Sequence, residues 1–150
     1  MVLDSTAVGV DHAESIYQVE HMSACSTPER MRDLRERVMQ FLSLSPFSPD
    51  ELSGLEIAIG EACTNAMRHG SPRGECDEVK VKCMRNDHTL IVEISDNGCG
   101  FDPHVARPLV CEDLRESGMG LQLMRGLVDS VEFEFEIGTT VRLVKHRGLG

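Results

Sequence analysis

Three polar side chains on one predicted helix are of types that handle phosphate and metal chemistry. Glu61, Asn65 and His69 occupy positions i, i+4 and i+8. Because each step of four residues overshoots a full helical turn by only about 40°, all three share one side of the helix. An asparagine oxygen is a suitable hard ligand for Mg²⁺, and a glutamate one turn away can polarise a water or a serine hydroxyl. The alternative interpretation is a solvated face, since charged residues at this spacing are common on helices.

Two glycine-containing turns follow this helix along the chain. Asp96 ends a predicted buried strand, where its carboxylate can accept a hydrogen bond from an amino group such as that of adenine. Gly98 and Gly100 come just after it and would let the chain turn beneath the base. Gly118 and Gly120 open a further predicted helix, whose N-terminal N–H groups attract phosphate. Each turn alone also fits an ordinary Asn-Gly turn or a glycine hinge. Helix and turns together predict a site for a metal-bound nucleotide.

Composition and missing motifs exclude several classes of protein. The 150 residues are typical of one domain, and a hydrophobic content of 41% is ordinary for a globular protein. A net charge of -10 argues against a nucleic-acid partner, which would need clustered Lys and Arg. No apolar run approaches the length of a membrane span, and residues 1–15 do not have the pattern of a secretory signal, so a cytoplasmic protein is expected. The sequence has no Gly-Lys-Ser or Gly-Lys-Thr, which excludes a P-loop.

The cysteines are expected to be free thiols. No pair has the Cys-x-x-Cys spacing of a zinc ribbon, and no signal peptide points to an oxidising compartment. The six positions are Cys25, Cys63, Cys76, Cys83, Cys99 and Cys111. Cys63 falls within the pattern of the predicted helix and is expected to be a small core residue.

Capping signals and hydrophobic periodicity predict the elements that must position these residues. Thr27 followed by Pro28 starts a first helix. Ser48 and Glu51 form a capping box at the start of a second helix, which ends at Gly70. Alternating apolar and polar residues predict a strand over 16–22 at the edge of a sheet, and four further strands. Those four strands and a short helix cover residues 79–83, 90–95, 131–136, 139–143 and 120–128, respectively.

The order of these elements predicts the fold. Strands are grouped with helices but do not alternate with them as βαβ units, which favours an α/β two-layer sandwich. The expected architecture is a mixed, mostly antiparallel sheet covered by helices on one face. Residues 1–13 are expected to form a flexible N-terminal arm, residues 14–146 the domain, and residues 147–150 a C-terminal tail.

Four segments together resemble a known family. They are EACTNA with the following His69, DNGCGFDP, ESGMGL and GTTV, at residues 61–66, 96–103, 116–121 and 138–141. In this order and spacing they resemble the Bergerat ATP-binding fold of the GHKL superfamily. More specifically, they resemble the anti-sigma-factor serine kinases of the RsbW and SpoIIAB type. The resemblance covers about residues 14–146.

The resemblance implies a role for each predicted site residue. Glu61 resembles the catalytic base of the family, and Asn65 resembles its magnesium ligand. Asp96 looks like the adenine-binding carboxylate, with Gly98 and Gly100 shaping the base pocket. The bound cofactors implied are ATP and Mg²⁺.

The rest of the implied site lies later in the chain. Gly118 and Gly120 look like the phosphate-binding turn, and Thr139 or Thr140 resembles the threonine that supports the adenine site. Residues 102–117 resemble a short ATP lid. Within that lid Arg115 or Arg107 would meet the γ-phosphate. The match is looser there, because Glu116 stands where some relatives have an arginine.

The implied function is that of a kinase that switches partners. It would phosphorylate a Ser or Thr on an anti-anti-sigma (STAS-type) antagonist and hold a sigma factor inactive until unphosphorylated antagonist displaces it. An acidic surface suits a basic helix of a sigma factor, and the resemblance allows a homodimer. One alternative is a nucleotide-gated interaction module without catalysis. Another is a detached histidine-kinase catalytic domain, although the chain has no room for a phospho-acceptor helix pair, and the place of His69 at a helix end favours a structural role.

Overall fold

The computed structural model describes residues 8–10, 16–69, 77–96, 118–135 and 138–148. Within these ranges it contains six strands and three helices. In chain order they are β1 (Val8–Val10), β2 (Ile16–Cys25), α1 (Pro28–Leu42), α2 (Pro49–His69), β3 (Glu78–Arg85), β4 (Thr89–Asp96), α3 (Gly118–Leu127), β5 (Ser130–Phe135) and β6 (Thr139–His146). The predicted elements are therefore present, with ends that differ by a few residues. No described helix is both long and apolar enough to cross a membrane.

The strands form one sheet in the order β1-β2-β3-β4-β6-β5, and every strand pair in it is antiparallel. The strand predicted over 16–22 exists, but its predicted place at the edge is wrong. Val8–Val10, within the segment predicted to be an arm, pairs with β2 on its outer side. A buried carboxylate in β2, Glu20, explains why its alternation in the sequence is weak.

The helices and the sheet form the two predicted layers. One face of the sheet packs against the helices, and a cross-strand row on that face shows the register. Met22 of β2 lies opposite Val81 of β3, which lies opposite Ile94 of β4, which lies opposite Val141 of β6. All four side chains are buried in the main core together with the apolar stripes of α1 and α2. The predicted fold class is confirmed.

The central strand β4 is buried on both faces, as its sequence predicts. Leu90, Val92 and Ile94 face the helices, and Ile91 is buried on the opposite face. Because β4 lies between β3 and β6, its carboxyl end at Asp96 is enclosed by neighbouring strands. The end of β4 is therefore a rigid position on which a binding site can be built.

Capping fixes the start of helix α2. The backbone N–H of Glu51 donates to Ser48 Oγ at 3.1 Å, and the Ser48 N–H donates to Glu51 Oε1 at 3.0 Å, which is the predicted capping box. Glu51 Oε2 also accepts from the Gly148 N–H at 2.7 Å. These backbone donors, first that of Ser48, hold the pKa of the Glu51 carboxyl below its usual value of 4.5. The predicted stop at Gly70 lies outside the described residues.

Helix α1 contacts the sheet near its C-terminal end. The Arg85 guanidinium of β3 lies over the Phe41 ring, 4.1 Å from its centroid, and donates to the Phe41 carbonyl at 2.9 Å. A further Arg85 N–H donates to Gln18 of β2. The start of α1 follows the sequence prediction, because Thr27 Oγ1 accepts from the Arg30 N–H at 3.2 Å. The Arg85 contacts fix the C-terminal end of α1 against β3.

Candidate functional site

Helix α2 carries the first two predicted site residues on a side that is neither core nor open solvent. Its core side is formed by Leu55, Ile59 and Ala62, all buried. Glu61 and Asn65 are half-buried. A simple solvated face would leave both more exposed, so the location favours a site.

The side of α2 that carries Glu61 faces helix α3. Gly54 precedes Glu61 by seven residues, about two helical turns, and so shares its side of α2. A Cβ atom at Gly54 would lie 3.4 Å from the carbonyl oxygen of Leu127 in α3. The first turn of α3 contains Gly118 and Gly120, as predicted. The N-terminal N–H groups of α3 are suited to hold phosphate.

A polar corner lies where β4 ends and β6 begins. Asp96 pairs in register with Thr139, and its Oδ1 accepts from the Thr139 N–H at 3.3 Å. One step earlier, Ser95 pairs with Thr140, and their hydroxyl oxygens lie 2.8 Å apart. These two contacts link the end of β4 to the start of β6.

The two threonines that the resemblance offered as alternatives lie on opposite faces of the sheet. Side chains alternate along a strand, so Asp96 lies on the same face of β4 as Ile94, which is the face covered by the helices. Thr139, which pairs with Asp96, lies on this face too. Ser95 and Thr140 share the other face. The structure thus places Thr139 beside Asp96 and Thr140 on the opposite face, and the supporting role of Thr139 or Thr140 at an adenine site stays a prediction. The contact between Ser95 and Thr140 follows from the β4–β6 register and has no local signal in the sequence.

Several predicted residues fall outside the described part of the chain. They are Gly98, Gly100, Arg107 and Arg115, and with them the whole of the predicted lid, residues 102–117. His69 is the last residue of α2. The roles expected for Gly98, Gly100, Arg107 and Arg115 stay predictions.

The described thiols do not offer a nucleophile near the site. Cys25, Cys63 and Cys83 are free, and the last two are buried. Burial raises the pKa of Cys63 to about 12, against a smaller lowering by Arg35. Burial also raises the pKa of Cys83, with Glu20 and Cys63 adding to the rise. Cys63 is therefore the core residue that its position in α2 predicts.

The donor set at this site fits Mg²⁺ that arrives with a nucleotide. Among the described residues, no group of three or more His, Cys, Asp or Glu side chains could hold a metal. Mg²⁺ commonly takes one or two protein oxygens and completes its shell with waters and phosphates. The Asn65 amide oxygen, half-buried one turn after Glu61, is suited to such a role.

Comparison with protein families identifies a domain over most of the chain. Residues 24–145 match the family described as "Histidine kinase-like ATPase domain". The matched region contains α1, α2, α3 and the described strands from β3 to nearly the end of β6. Both Glu61 and Asp96 lie within it. Membership of this family implies that the chain binds ATP.

Individual relatives show which branch of this family the chain is similar to. "Serine-protein kinase RsbW" of Bacillus licheniformis is 30% identical over 132 residues, which cover 83% of this chain and 82% of the relative. "Anti-sigma F factor" of Clostridium botulinum (strain Eklund 17B / Type B) is 37% identical over 117 residues, covering 74% of this chain and 82% of the relative. "Anti-sigma F factor" of Bacillus subtilis (strain 168) is 32% identical over 132 residues, covering 84% and 90%.

A solved structure agrees with the fold. The crystal structure of the RsbU and RsbW domains of a Mycobacterium tuberculosis protein superposes with a TM-score of 0.61 at 19% identity. The match covers 86% of this chain, which spans 32% of that longer chain. The chain belongs to the histidine kinase-like ATPase domain family and, within it, to the serine-protein kinases and anti-sigma factors of the RsbW type.

Proposed function

We propose that this protein is an ATP-dependent serine/threonine kinase that phosphorylates an anti-anti-sigma antagonist protein and also sequesters a sigma factor. One observation carries the catalytic part of the proposal. Glu61 and Asn65 are half-buried on the side of α2 that faces α3, where a base and a metal ligand would both reach a nucleotide. The names of the relatives support the partner-switching part, because they include both a serine-protein kinase and anti-sigma factors.

In the proposed reaction the Glu61 carboxylate accepts the proton of the acceptor hydroxyl. The hydroxyl oxygen forms a bond to the γ-phosphorus, and the bond from that phosphorus to the β–γ bridging oxygen breaks, so that ADP leaves. Phosphoryl transfer depends mainly on positioning and on neutralising charge, so one base and a few oriented donors are sufficient. The N–H groups in the first turn of α3, at Gly118 and Gly120, would hold the phosphates.

The remaining residues of the proposed site hold the cofactor and the base. Asn65 would bind Mg²⁺ through its amide oxygen. When bound, Mg²⁺ neutralises charge on the phosphate oxygens. Asp96 would accept a hydrogen bond from the adenine amino group, and its contact with the Thr139 N–H orients the carboxylate for this role.

The net charge of -10 supports a basic partner such as a helix of a sigma factor. Sequestration and phosphorylation would then compete. Unphosphorylated antagonist displaces the sigma factor, whereas the phosphorylated product, with added negative charge, is released from an acidic protein more readily.

The test measures phosphoryl transfer to the antagonist and release of the sigma factor by it. Each STAS-type antagonist of the source genome is incubated with the protein, Mg²⁺ and γ-labelled ATP, and the label is tested for acid stability. We expect acid-stable label on a serine or threonine of one antagonist. We also expect that antagonist, before but not after phosphorylation, to release a sigma factor from its complex with this protein in gel filtration.

Other outcomes would favour the alternatives. Nucleotide binding without transfer to any antagonist would favour a binding module that acts by capture alone. Acid-labile phosphate on a partner histidine would favour a detached histidine-kinase catalytic domain. Either result would refute the proposed serine/threonine kinase activity.

A further inference from the structure

A cleft lies on the face of the sheet that is opposite the helices, and polar side chains of three neighbouring strands line it. They are His21 and Ser23 of β2, Lys80 and Lys82 of β3, and Glu93 and Ser95 of β4. Met22, Val81 and Ile94, which stand next to them in the same strands, are buried against the helices. Because side chains alternate along a strand, the polar set points to the other face.

The cleft has the size of a small-molecule site. Its volume is about 700 Å³, and ligand pockets commonly have volumes of roughly 300–1,000 Å³. Arg37 of α1 lines it as well. Because α1 covers the other face, Arg37 can reach the cleft only past an edge of the sheet. Among the described strands, β2 has an outer neighbour only along residues 16–18, so its remaining length provides such an edge.

Lys82 lacks the carboxylate partner that its position in the sheet would give it. Glu93 lies directly opposite Lys82 in the register of β3 and β4. The Glu93 carboxylate pairs instead with Arg142 of β6, with Oε2 3.3 Å from Nη1. Among the described residues, Lys82 has no hydrogen bond and no ion pair within 4 Å, although it is half-buried. A partly desolvated ammonium group without an anion gains from one that a ligand supplies.

Lys80 provides a second ammonium group beside the first. Its neighbours in register are Ser23 on one side and Ser95 on the other, so it lies between hydroxyl groups and not between carboxylates. In the part of the chain that the structure describes, Lys80 also has no ion pair within 4 Å. A strand rises about 3.4 Å per residue, which separates the Cα atoms of Lys80 and Lys82 by about 7 Å. Their flexible four-carbon stems let both ammonium groups reach one anion.

The cleft has a positive balance of charge in an acidic chain. The whole sequence has 25 Asp and Glu residues against 15 Lys and Arg. Among the described lining residues, cations outnumber carboxylates, and the charged ones are Arg37, Lys80, Lys82, Glu78 and Glu93. Lysine is also rare in this chain, since Lys145 is the only other one. The local charge therefore favours an anion where the chain as a whole does not.

We propose that this cleft binds a phosphorylated small molecule. Lys80 and Lys82 would hold the phosphate, and the hydroxyl groups of Ser23 and Ser95 would donate to its oxygens. A phosphate group suits these donors because it has three acceptor oxygens and a charge between about -1.5 and -2 at neutral pH. The cleft is larger than a phosphate group, which leaves room for the organic part of the molecule.

The cleft is separate from the proposed nucleotide site. Ser95 is next to Asp96 in β4, and neighbours in a strand point to opposite faces of the sheet. Asp96 is on the face that the helices cover, whereas Ser95 lines the cleft. Both sites can therefore be occupied at once, and the inference does not depend on kinase activity.

The test is a calorimetric titration of the full chain with inorganic pyrophosphate and, separately, with uridine diphosphate. The nucleotide site is first saturated with Mg²⁺ and a non-hydrolysable ATP analogue, and uridine diphosphate is chosen because it lacks adenine. We expect each probe to bind saturably at one further site and to raise the melting temperature. Equal affinities would show that the phosphates alone are recognised, and tighter binding of uridine diphosphate would show that the organic part contributes.

Substitutions locate the site. Lys80→Gln and Lys82→Gln should each weaken binding of both probes about tenfold or more, because each removes a charge-assisted contact. Lys145→Gln is the matched control, since it removes the same charge from β6 outside the cleft, and it should bind both probes as wild type does. All three variants should keep the melting temperature without probe and the affinity for the ATP analogue of the wild type.

Three results would overturn the proposal. The first is the absence of a further saturable site in the wild-type chain. The second is unchanged affinity in the double variant Lys80→Gln, Lys82→Gln, which would place the probes elsewhere. The third is self-association in sedimentation that the double variant loses while no probe binds, which would assign this face to a second copy of the chain. Because binding is measured without phosphoryl transfer, absence of kinase activity would refute the proposed function and leave this result unchanged.

Discussion

Replacing Glu61 by glutamine tests the proposed base with little change in structure. Glutamine keeps the size of the side chain and an oxygen that accepts hydrogen bonds, but it cannot take a proton from the acceptor hydroxyl. Among the described residues, Glu61 has no hydrogen bond or ion pair to lose. The substitution should therefore change the free energy of unfolding by no more than about 0.5 kcal/mol.

The expected effect on turnover is much larger. General-base catalysis contributes about 10²–10⁴-fold, which corresponds to roughly 2.7–5.4 kcal/mol of activation free energy at 1.36 kcal/mol per tenfold. Because the carboxylate acts in the transition state, kcat should fall by this factor. Affinity for an ATP analogue and for the antagonist should remain within about threefold of wild type.

The assay is single-turnover transfer of labelled phosphate to the antagonist, with the melting temperature measured on the same samples. Glu29→Gln is the matched control, because it removes the same charge from an exposed position in the first turn of α1. If the Glu61→Gln variant kept kcat within threefold of wild type, Glu61 would not be the base. If it lost ATP binding instead, its role would be in the nucleotide site.

Four further substitutions test other parts of the site and the fold. Asn65→Ala should abolish the Mg²⁺-dependent part of ATP affinity in calorimetry while circular dichroism shows an intact helix; unchanged Mg²⁺ dependence would remove Asn65 from the metal site. Asp96→Asn should reduce the preference for ATP over GTP about tenfold or more, since a charged hydrogen-bond partner contributes about 1.5–3 kcal/mol; an unchanged preference would contradict the adenine role. Ser48→Ala should lower the free energy of unfolding by about 1 kcal/mol through loss of the cap. The Glu51 carboxyl that caps α2 has a pKa that is lowered in the folded state. Its contribution to the free energy of unfolding is therefore present above pH 4.5 and is lost as the pH falls through the folded-state pKa. In denaturant titrations the stability difference between wild type and Glu51→Gln should therefore shrink in acid, and a constant difference would refute the ionic part of the cap.

Local signals in the sequence predict the elements correctly. The Ser48 and Glu51 capping box depends on residues three apart, and its two hydrogen bonds form as expected. The turn at Asn86 is similarly local, because its Oδ1 accepts from the N–H groups of His88 and Thr89 at 2.8 and 2.7 Å. Interactions over so few residues do not require knowledge of the fold.

Contacts between distant segments could not be predicted in the same way. The position of Val8–Val10 outside β2 depends on strand pairing, for which three residues carry little information. The separation of Thr139 from Thr140 depends on the register of β6 against β4, and a shift of one residue would reverse it. The close approach of Arg35 in α1 to Gly60 in α2 depends on how the two helices pack, which no spacing in the sequence reveals.

Helix α2 carries both the proposed base, Glu61, and the proposed metal ligand, Asn65. The alternative interpretation, in which these residues lie on a solvated face, can therefore be tested on this helix. Its buried row, which includes Leu55 and Ile59, fixes its rotation, so Glu61 and Asn65 stay on the side that faces α3. Changes at Asn65 should then affect Mg²⁺-dependent nucleotide binding, and changes at Glu61 should affect turnover alone. A solvated face would give no such separation, because exposed charges on a helix contribute little and in similar ways. Different effects of substitution at Asn65 and at Glu61 would therefore distinguish a site from a solvated face.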